Sequence, residues 1–148
     1  MASRATRGVT VIGNLNNVKR GQIPGLGAGG QRVIVRAMNT VGAESVELMQ
    51  RVIDTTPSAL VPGKDNRNWT GKMRASVGYV ITNKEKGYYR LRLGWVDNVE
   101  DYFAWQDTGA PQDTRQWPIR GMLMLFQGYV YARDRMKASI EQAKSARK

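Results

Sequence analysis

Two segments of the chain carry apolar residues at helical spacing, one near residues 31–54 and one near residues 121–146. In the first segment, the apolar residues at steps of three or four are Ile34, Met38, Val41, Leu48 and Val52. In the second segment, they are Leu125, Tyr129, Ala132, Met136, Ile140 and Ala143. Because one face of a helix repeats every 3.6 residues, this spacing predicts an amphipathic helix in each segment. The first helix is expected to end before Pro57, since proline disfavours helical geometry in the residue that precedes it.

Between these two segments the pattern changes to an alternation with a period of two, across residues 75–96. The apolar positions on one side of the alternation are Val77, Tyr79, Ile81, Tyr89, Leu91, Leu93 and Trp95. This pattern predicts a β-hairpin with a large, partly aromatic inner face. We therefore expect an α+β fold, in which the hairpin and one or two further strands form a small antiparallel sheet packed against an N-terminal and a C-terminal helix.

The length of 148 residues is sufficient for one domain with its own core. Residues 31–148 are expected to form this domain, and residues 1–30 an extended basic arm with a short strand at residues 9–12. The segment 25–30 (GLGAGG) fits a dinucleotide-binding fingerprint. No predicted strand precedes it and no βαβ unit follows, so a flexible hinge is the better interpretation.

The amino-acid composition excludes several kinds of site and several classes of protein. The chain contains no cysteine and no histidine, which excludes disulfides and the usual zinc ligands. No apolar run approaches the ~18 residues that span a bilayer. A metal or acid–base cluster of Glu100, Asp101 and Asp107 is one interpretation of the acidic residues, but no histidine or evident nucleophile accompanies them. We therefore expect no enzyme activity, no cofactor, no metal and no membrane association.

Charge is high and unevenly distributed along the chain. The formal net charge is +11, and no acidic residue precedes Glu44. Basic residues dominate again after residue 115, whereas residues 97–113 are rich in acids. Three interpretations remain open: head-to-tail association of subunits, contact with nucleic acid, and simple solubility. On the predicted second strand, Tyr88, Arg90 and Arg92 alternate aromatic and basic groups as in single-strand binders, although a charged strand edge is the simpler interpretation.

Two short motifs flank the hairpin, at residues 70–76 (TGKMRAS) and at residues 102–109 (YFAWQDTG). Both are expected to be loops. Gly71 suits a turn that a side chain would strain, and Met73 is expected to anchor the first loop in the core. In the second loop, Gly109 is expected to turn the chain after its aromatic residues have docked. The aromatic residues Tyr102, Phe103 and Trp105 are expected either to pack in the core or to contribute to an interface.

The order of helix, proline-containing loop, first motif, hairpin, second motif and helix resembles the neck, tail-completion and minor tail proteins of tailed bacteriophages. Their first motif reads Thr-Gly-x-Leu-Arg-x-Ser, and Met73 stands here in place of the leucine. Their second motif is of the type Tyr-Ala-x-x-x-Glu-x-Gly-Thr, where this chain has residues 106–109 (QDTG). The resemblance extends over residues 31–143.

The resemblance implies a non-enzymatic virion protein, assembled in the cytoplasm of a host bacterium. It implies a homo-oligomer, as a hexameric ring around the DNA channel at the head-to-tail junction, with adjoining connector and tail proteins as partners and non-specific contact with DNA. The candidate motif and interface residues are Thr70, Gly71, Met73, Arg74, Ser76, Tyr102, Trp105, Asp107 and Gly109. The alternative that the charge supports is a basic nucleic-acid-binding module.

Overall fold

The computed structural model describes residues 8–11, 30–57, 71–85, 88–96, 100–109 and 121–146. In these ranges the elements in chain order are strand β1 (Gly8–Val11), helix α1 (Gly30–Thr55), helix α2 (Lys72–Ser76), strands β2 (Val77–Glu85) and β3 (Tyr88–Trp95), and helices α3 (Asp101–Thr108) and α4 (Met124–Ser145). The predicted α+β fold is therefore confirmed. Most of the predicted arm, its glycine-rich hinge and Thr70 lie outside these ranges.

Strand β3 is the centre of the sheet. It pairs antiparallel with β2, from Val77 opposite Trp95 to Glu85 opposite Tyr88, with an irregularity between Asn83 and Glu85. Strand β1 pairs antiparallel with the other edge of β3, so the strand order is β1-β3-β2. The sheet thus consists of the predicted hairpin and one further strand.

The core lies between the sheet and the two long helices, because α1 contacts both hairpin strands and α4 packs along α1. The predicted alternation is confirmed: Leu91, Leu93 and Trp95 are buried, and the intervening residue Arg92 is half-buried. Helix α1 contributes four large side chains that are fully buried in this core, and these are Ile34, Met38, Met49 and Ile53. Within the described residues, no helix is both long and apolar enough to cross a membrane.

The two motif segments are helices, where loops had been expected. Helix α2 begins after Gly71, and the Ala75 N–H donates to the Gly71 carbonyl (2.9 Å). Helix α3 occupies most of the second motif and ends at Gly109. The prediction of loops was wrong. Both helices are too short to show a helical repeat in the sequence, and they are stabilised by packing against distant parts of the chain.

Gly42, in the middle of α1, is explained by tertiary packing. A Cβ atom at this position would lie 2.5 to 2.8 Å from three atoms of the Tyr79 ring. Such a contact is far inside van der Waals distance. The ring cannot move away easily, because one of the contacting atoms is Cγ, at which the ring is attached to the rest of the residue. Glycine therefore allows α1 to approach β2 closely, at a cost of up to ~1 kcal/mol in helix propensity.

We expect Gly42→Ala to destabilise the protein, although alanine is the better helix former. Overpacking against Tyr79 should cost ~1–3 kcal/mol, and the propensity gain of ~1 kcal/mol offsets only part of it. Urea unfolding followed by circular dichroism measures the difference. The control is Thr40→Ala, at an exposed position of the same helix, and it should leave stability equal or slightly higher. A stabilised Gly42→Ala protein would contradict the close packing.

Candidate functional site

The first motif holds α2 in the core. Gly71 has φ 75°, which confirms the predicted turn, and Met73 is 2% exposed, which confirms the predicted anchor. The buried Ser76 hydroxyl donates to the Lys72 carbonyl (2.7 Å). These side chains are directed into the protomer, so this part of the motif serves folding.

Polar contacts connect α2 with its neighbours on both sides. Arg74 Nε donates to Asp54 Oδ2 (2.9 Å), and Gln50 Nε2 donates to the Arg74 carbonyl (3.3 Å). Lys72 Nζ lies 3.7 Å from Glu100 Oε1, just before α3. Because these ion pairs are largely exposed, each contributes ~1 kcal/mol or less. Their effect is to align α1, α2 and the beginning of α3.

The aromatic residues of the second motif divide between core and surface. Phe103 is fully buried, and its ring centroid lies 5.6 Å from that of Trp95, with the planes tilted by 42°. Trp105, two positions later, is 50% exposed. The side chain of Tyr102 lies outside the described part of the chain. Phe103 therefore fixes α3 against the sheet, and this orientation presents Trp105 at the surface.

Asp107 is the structural link between α3 and α4. Its carboxylate, 3% exposed, accepts the N–H of Met124 through Oδ1 and lies 3.3 and 3.4 Å from the N–H of Leu125. The first N–H groups of a helix have no partner within the helix, and negative charge at this end is favourable. Asp107 thus stabilises the beginning of α4, a role that the sequence analysis missed.

Backbone hydrogen bonds extend this link. The N–H of Met122 donates to the Gln106 carbonyl (3.0 Å), and the N–H of Leu123 donates to the Asp107 carbonyl (2.9 Å). A Cβ atom on Gly121 would lie 2.5 Å from that same Asp107 oxygen, so only glycine fits. We call Gln106, Asp107 and residues 121–125 the α3–α4 clasp. The clasp explains why α4 begins at Met124, three residues later than expected.

Large apolar side chains are exposed on and beside the α3–α4 clasp. Leu123 is 51% exposed, Phe126 60% and Trp105 50%. Leu123 also has φ 56°, the left-handed region, which is uncommon for a bulky residue without glycine's freedom. Strain of this kind persists only where the surroundings enforce it, and it is frequent at functional sites. An apolar residue therefore lies at the surface in a strained backbone conformation.

Phe126 continues this surface into an apolar groove of about 600 Å³ between α1 and α4. The residues that line it are Leu48, Phe126, Gln127, Val130, Tyr131, Asp134, Arg135 and Ala138. At its polar rim, Tyr131 donates to Glu44 Oε2 (2.9 Å), and Arg135 Nε donates to the same oxygen (3.1 Å). The hydrogen bond to the Glu44 carboxylate raises the pKa of Tyr131. We call this surface the α1–α4 groove.

The other candidate chemistry is not assembled in the described residues. They contain no group of three or more acidic residues that could hold a metal ion, and the side chain of Asp101 lies outside them. Arg90 and Arg92 are half-buried on the outer face of β3, and the side chain of Tyr88 is not among those described. The buried Nε of Arg90 has no hydrogen-bond partner in the described part of the chain.

Comparisons of the chain with protein-family models, with curated proteins and with solved structures find no significant match. Function is therefore inferred from the geometry and charge of the chain itself, together with the motif resemblance.

We expect Asp107→Ala to lower the free energy of unfolding by ~1–3 kcal/mol, because the buried N–H of Met124 loses its acceptor. Asp107→Asn keeps an acceptor oxygen and should cost clearly less. Asp134→Ala, which removes an exposed acid of α4 (62% exposed), is the control and should change stability by less than ~0.5 kcal/mol. Urea unfolding measures all three, and equal losses in the Ala and Asn variants would argue against the capping role.

The bond between Tyr131 and Glu44 should make stability depend on pH in the alkaline range. The pKa of Tyr131 is raised in the folded state, so its contribution is complete below about pH 10 and is lost as the pH rises through the folded pKa. We expect Tyr131→Phe to melt below the parent at pH 8, and we expect this deficit to shrink as the pH is raised above about 10. Tyr129→Phe, which removes the hydroxyl group of a second α4 tyrosine outside this contact, is the control for the loss of a phenol group.

Proposed function

We propose that this chain is a structural, non-enzymatic virion protein of a tailed bacteriophage. In this proposal it forms a homo-oligomeric ring, hexameric by the motif resemblance, at the head-to-tail junction around the DNA channel. Its role is of the neck, tail-completion or tail-terminator type, and adjoining connector and tail proteins are its neighbours. The ring surrounds DNA and contacts it without sequence preference.

The observation that supports assembly most directly is the exposed apolar surface at the α3–α4 clasp. Trp105, Leu123 and Phe126 are each at least half exposed, on or beside a backbone that Asp107 and Gly121 hold in place. Aromatic and large aliphatic side chains contribute most of the energy in protein interfaces. A rigid surface also loses little conformational freedom on binding, which favours association.

A ring requires contact between unlike faces of two subunits. Closed rings other than dimers need heterologous contacts, in which one surface of each subunit binds a different surface of the next. In this proposal Phe126 and the α1–α4 groove that it lines form one of these two surfaces, and a different face of the next subunit covers them. The uneven distribution of charge along the chain adds orientation to such contacts, and salt should weaken them.

The motif resemblance supplies the location in the virion. Both motifs occur in the order of the phage proteins, one on each side of the hairpin. In this chain they shape α2 and α3 and thereby position the clasp. The placement of the ring at the head-to-tail junction rests on this resemblance.

We expect the double variant Leu123→Asn/Phe126→Gln to impair oligomerisation. Asparagine tolerates the left-handed backbone of Leu123, so the clasp should persist. The loss of each buried anchor should weaken an interface by ~10-fold or more. Mass measurement across a protein concentration series, at low and at high salt, should show the parent near six times the 16.6 kDa chain mass and the variant shifted toward the monomer.

The control for this experiment is Val80→Thr/Val96→Thr, which removes two other exposed apolar side chains (42% and 37% exposed) away from the clasp. It should assemble like the parent. If the two double variants assemble equally well, the clasp is not the interface between subunits. A parent that stays monomeric at all concentrations, and also when mixed with adjoining virion proteins, would overturn the ring.

A further inference from the structure

A second groove, of about 520 Å³, lies where the N-terminal half of α1 meets the hairpin. The residues that line it are Arg32, Val35, Arg36, Asn39, Thr40 and Tyr89. We call it the arginine groove. It shares no residue with the α3–α4 clasp or with the α1–α4 groove.

The arginine groove carries two guanidinium groups that the described residues leave without an acidic partner. Arg32 and Arg36 are four residues apart in α1, so they lie on the same helix face, and both are exposed. No described carboxylate lies within ion-pair distance of either of them. Like charges at this spacing repel each other. A bound anion would relieve this repulsion.

Two hydrogen bonds fix the orientation of Asn39 in the arginine groove. Tyr79 donates its hydroxyl hydrogen to Asn39 Oδ1 (3.1 Å), and Asn39 Nδ2 donates to the Val35 carbonyl (3.0 Å). Asn39 is thus oriented by bonds on both sides of its amide. Tyr89, half-buried on β3, adds an aromatic ring beside the two arginines.

We propose that the arginine groove binds the phosphate backbone of nucleic acid. Arg32 and Arg36 contact phosphates, because the planar guanidinium fork matches phosphate oxygens and both side chains lie on the same face of α1. The Tyr89 ring offers a face on which a base of a single strand stacks. A combination of basic and aromatic groups favours nucleic acid over an acidic peptide, which gains nothing from a stacking face.

The net charge of +11 supports the same ligand, since a strongly basic chain attracts polyanions from a distance. The alternation of aromatic and basic residues in the sequence points to Tyr88, Arg90 and Arg92 for this role. The structure instead brings Tyr89, on the α1 side of the sheet, together with two arginines that are distant in sequence. The inference goes beyond the ring and does not depend on it.

The test measures binding of the full chain to a fluorescent single-stranded oligonucleotide and to a duplex of equal length, by polarisation over a salt series. We expect Arg32→Gln/Arg36→Gln to raise the dissociation constant of both DNA forms ~10-fold or more at low salt. Each lost phosphate contact should reduce the slope of log affinity against log salt by ~0.7 to 0.9. Tyr89→Leu, which keeps apolar packing, should weaken single-strand binding more than duplex binding, with its melting temperature checked in parallel.

The matched control is Arg51→Gln/Lys137→Gln, which removes the same charge from exposed positions of α1 and α4 outside the groove. It should raise the dissociation constant less than ~3-fold, by the general charge effect alone. Equal losses in the two double variants, or no binding by the parent at low salt, would overturn the proposal.

Oligomeric mass, measured on the same variants, separates this inference from the ring. If Arg32→Gln/Arg36→Gln disrupts assembly and leaves DNA binding unchanged, the arginine groove receives an acidic surface of a second copy, and the nucleic-acid proposal is wrong. If DNA binding falls and the mass is unchanged, the proposal is supported whether or not the parent forms a ring. An unchanged single-strand affinity in Tyr89→Leu would overturn the stacking contact alone.

Discussion

The buried carboxylate of Asp107 is the contact on which the arrangement of the C-terminal half depends. It joins the end of α3 to the first turn of α4 through the N–H groups of Met124 and Leu125. An uncapped helix beginning inside the fold would leave buried donors without partners, at a cost of ~1–3 kcal/mol for each. With the cap in place, α4 can start beside α3 and then run along α1 to cover the core.

The surfaces proposed for function follow from that arrangement. Phe103 packs against Trp95, and this contact fixes the face of α3 that presents Trp105. The clasp then forces Leu123 into a left-handed conformation at the surface, with Phe126 one turn further along α4. In the middle of α1, close packing at Gly42 brings the helix against Tyr79, whose hydroxyl group donates to Asn39 of the arginine groove. The contacts that stabilise the fold therefore also position the side chains of the two surfaces.

The division of the two surfaces suggests how one small chain can meet two kinds of partner. Apolar side chains at the clasp suit another protein surface, whereas exposed arginines in a groove suit a phosphate backbone. Different residues carry the two roles, so each can be changed without the other. Salt weakens the second far more than the first, because burial of apolar area does not rely on charge.

Hydrophobic periodicity by itself determined the two long helices, the hairpin and the inner face of the sheet, since each of these elements buries a regular apolar stripe. The residue types of the first motif predicted the turn at Gly71 and the anchor at Met73. Helix α3 was out of reach because its buried face consists of Phe103, Gln106 and Asp107, of which two are polar.

The clasp, the exposure of Trp105 and the arginine groove were decided only by the tertiary structure. The clasp joins Asp107 to residues fourteen and more positions later, and the groove joins Arg32 and Arg36 to Tyr89 on another element. Local spacing carries no signal for such contacts. They form because packing of the apolar faces brings distant backbone and side-chain groups together, and buried polar groups must then find partners.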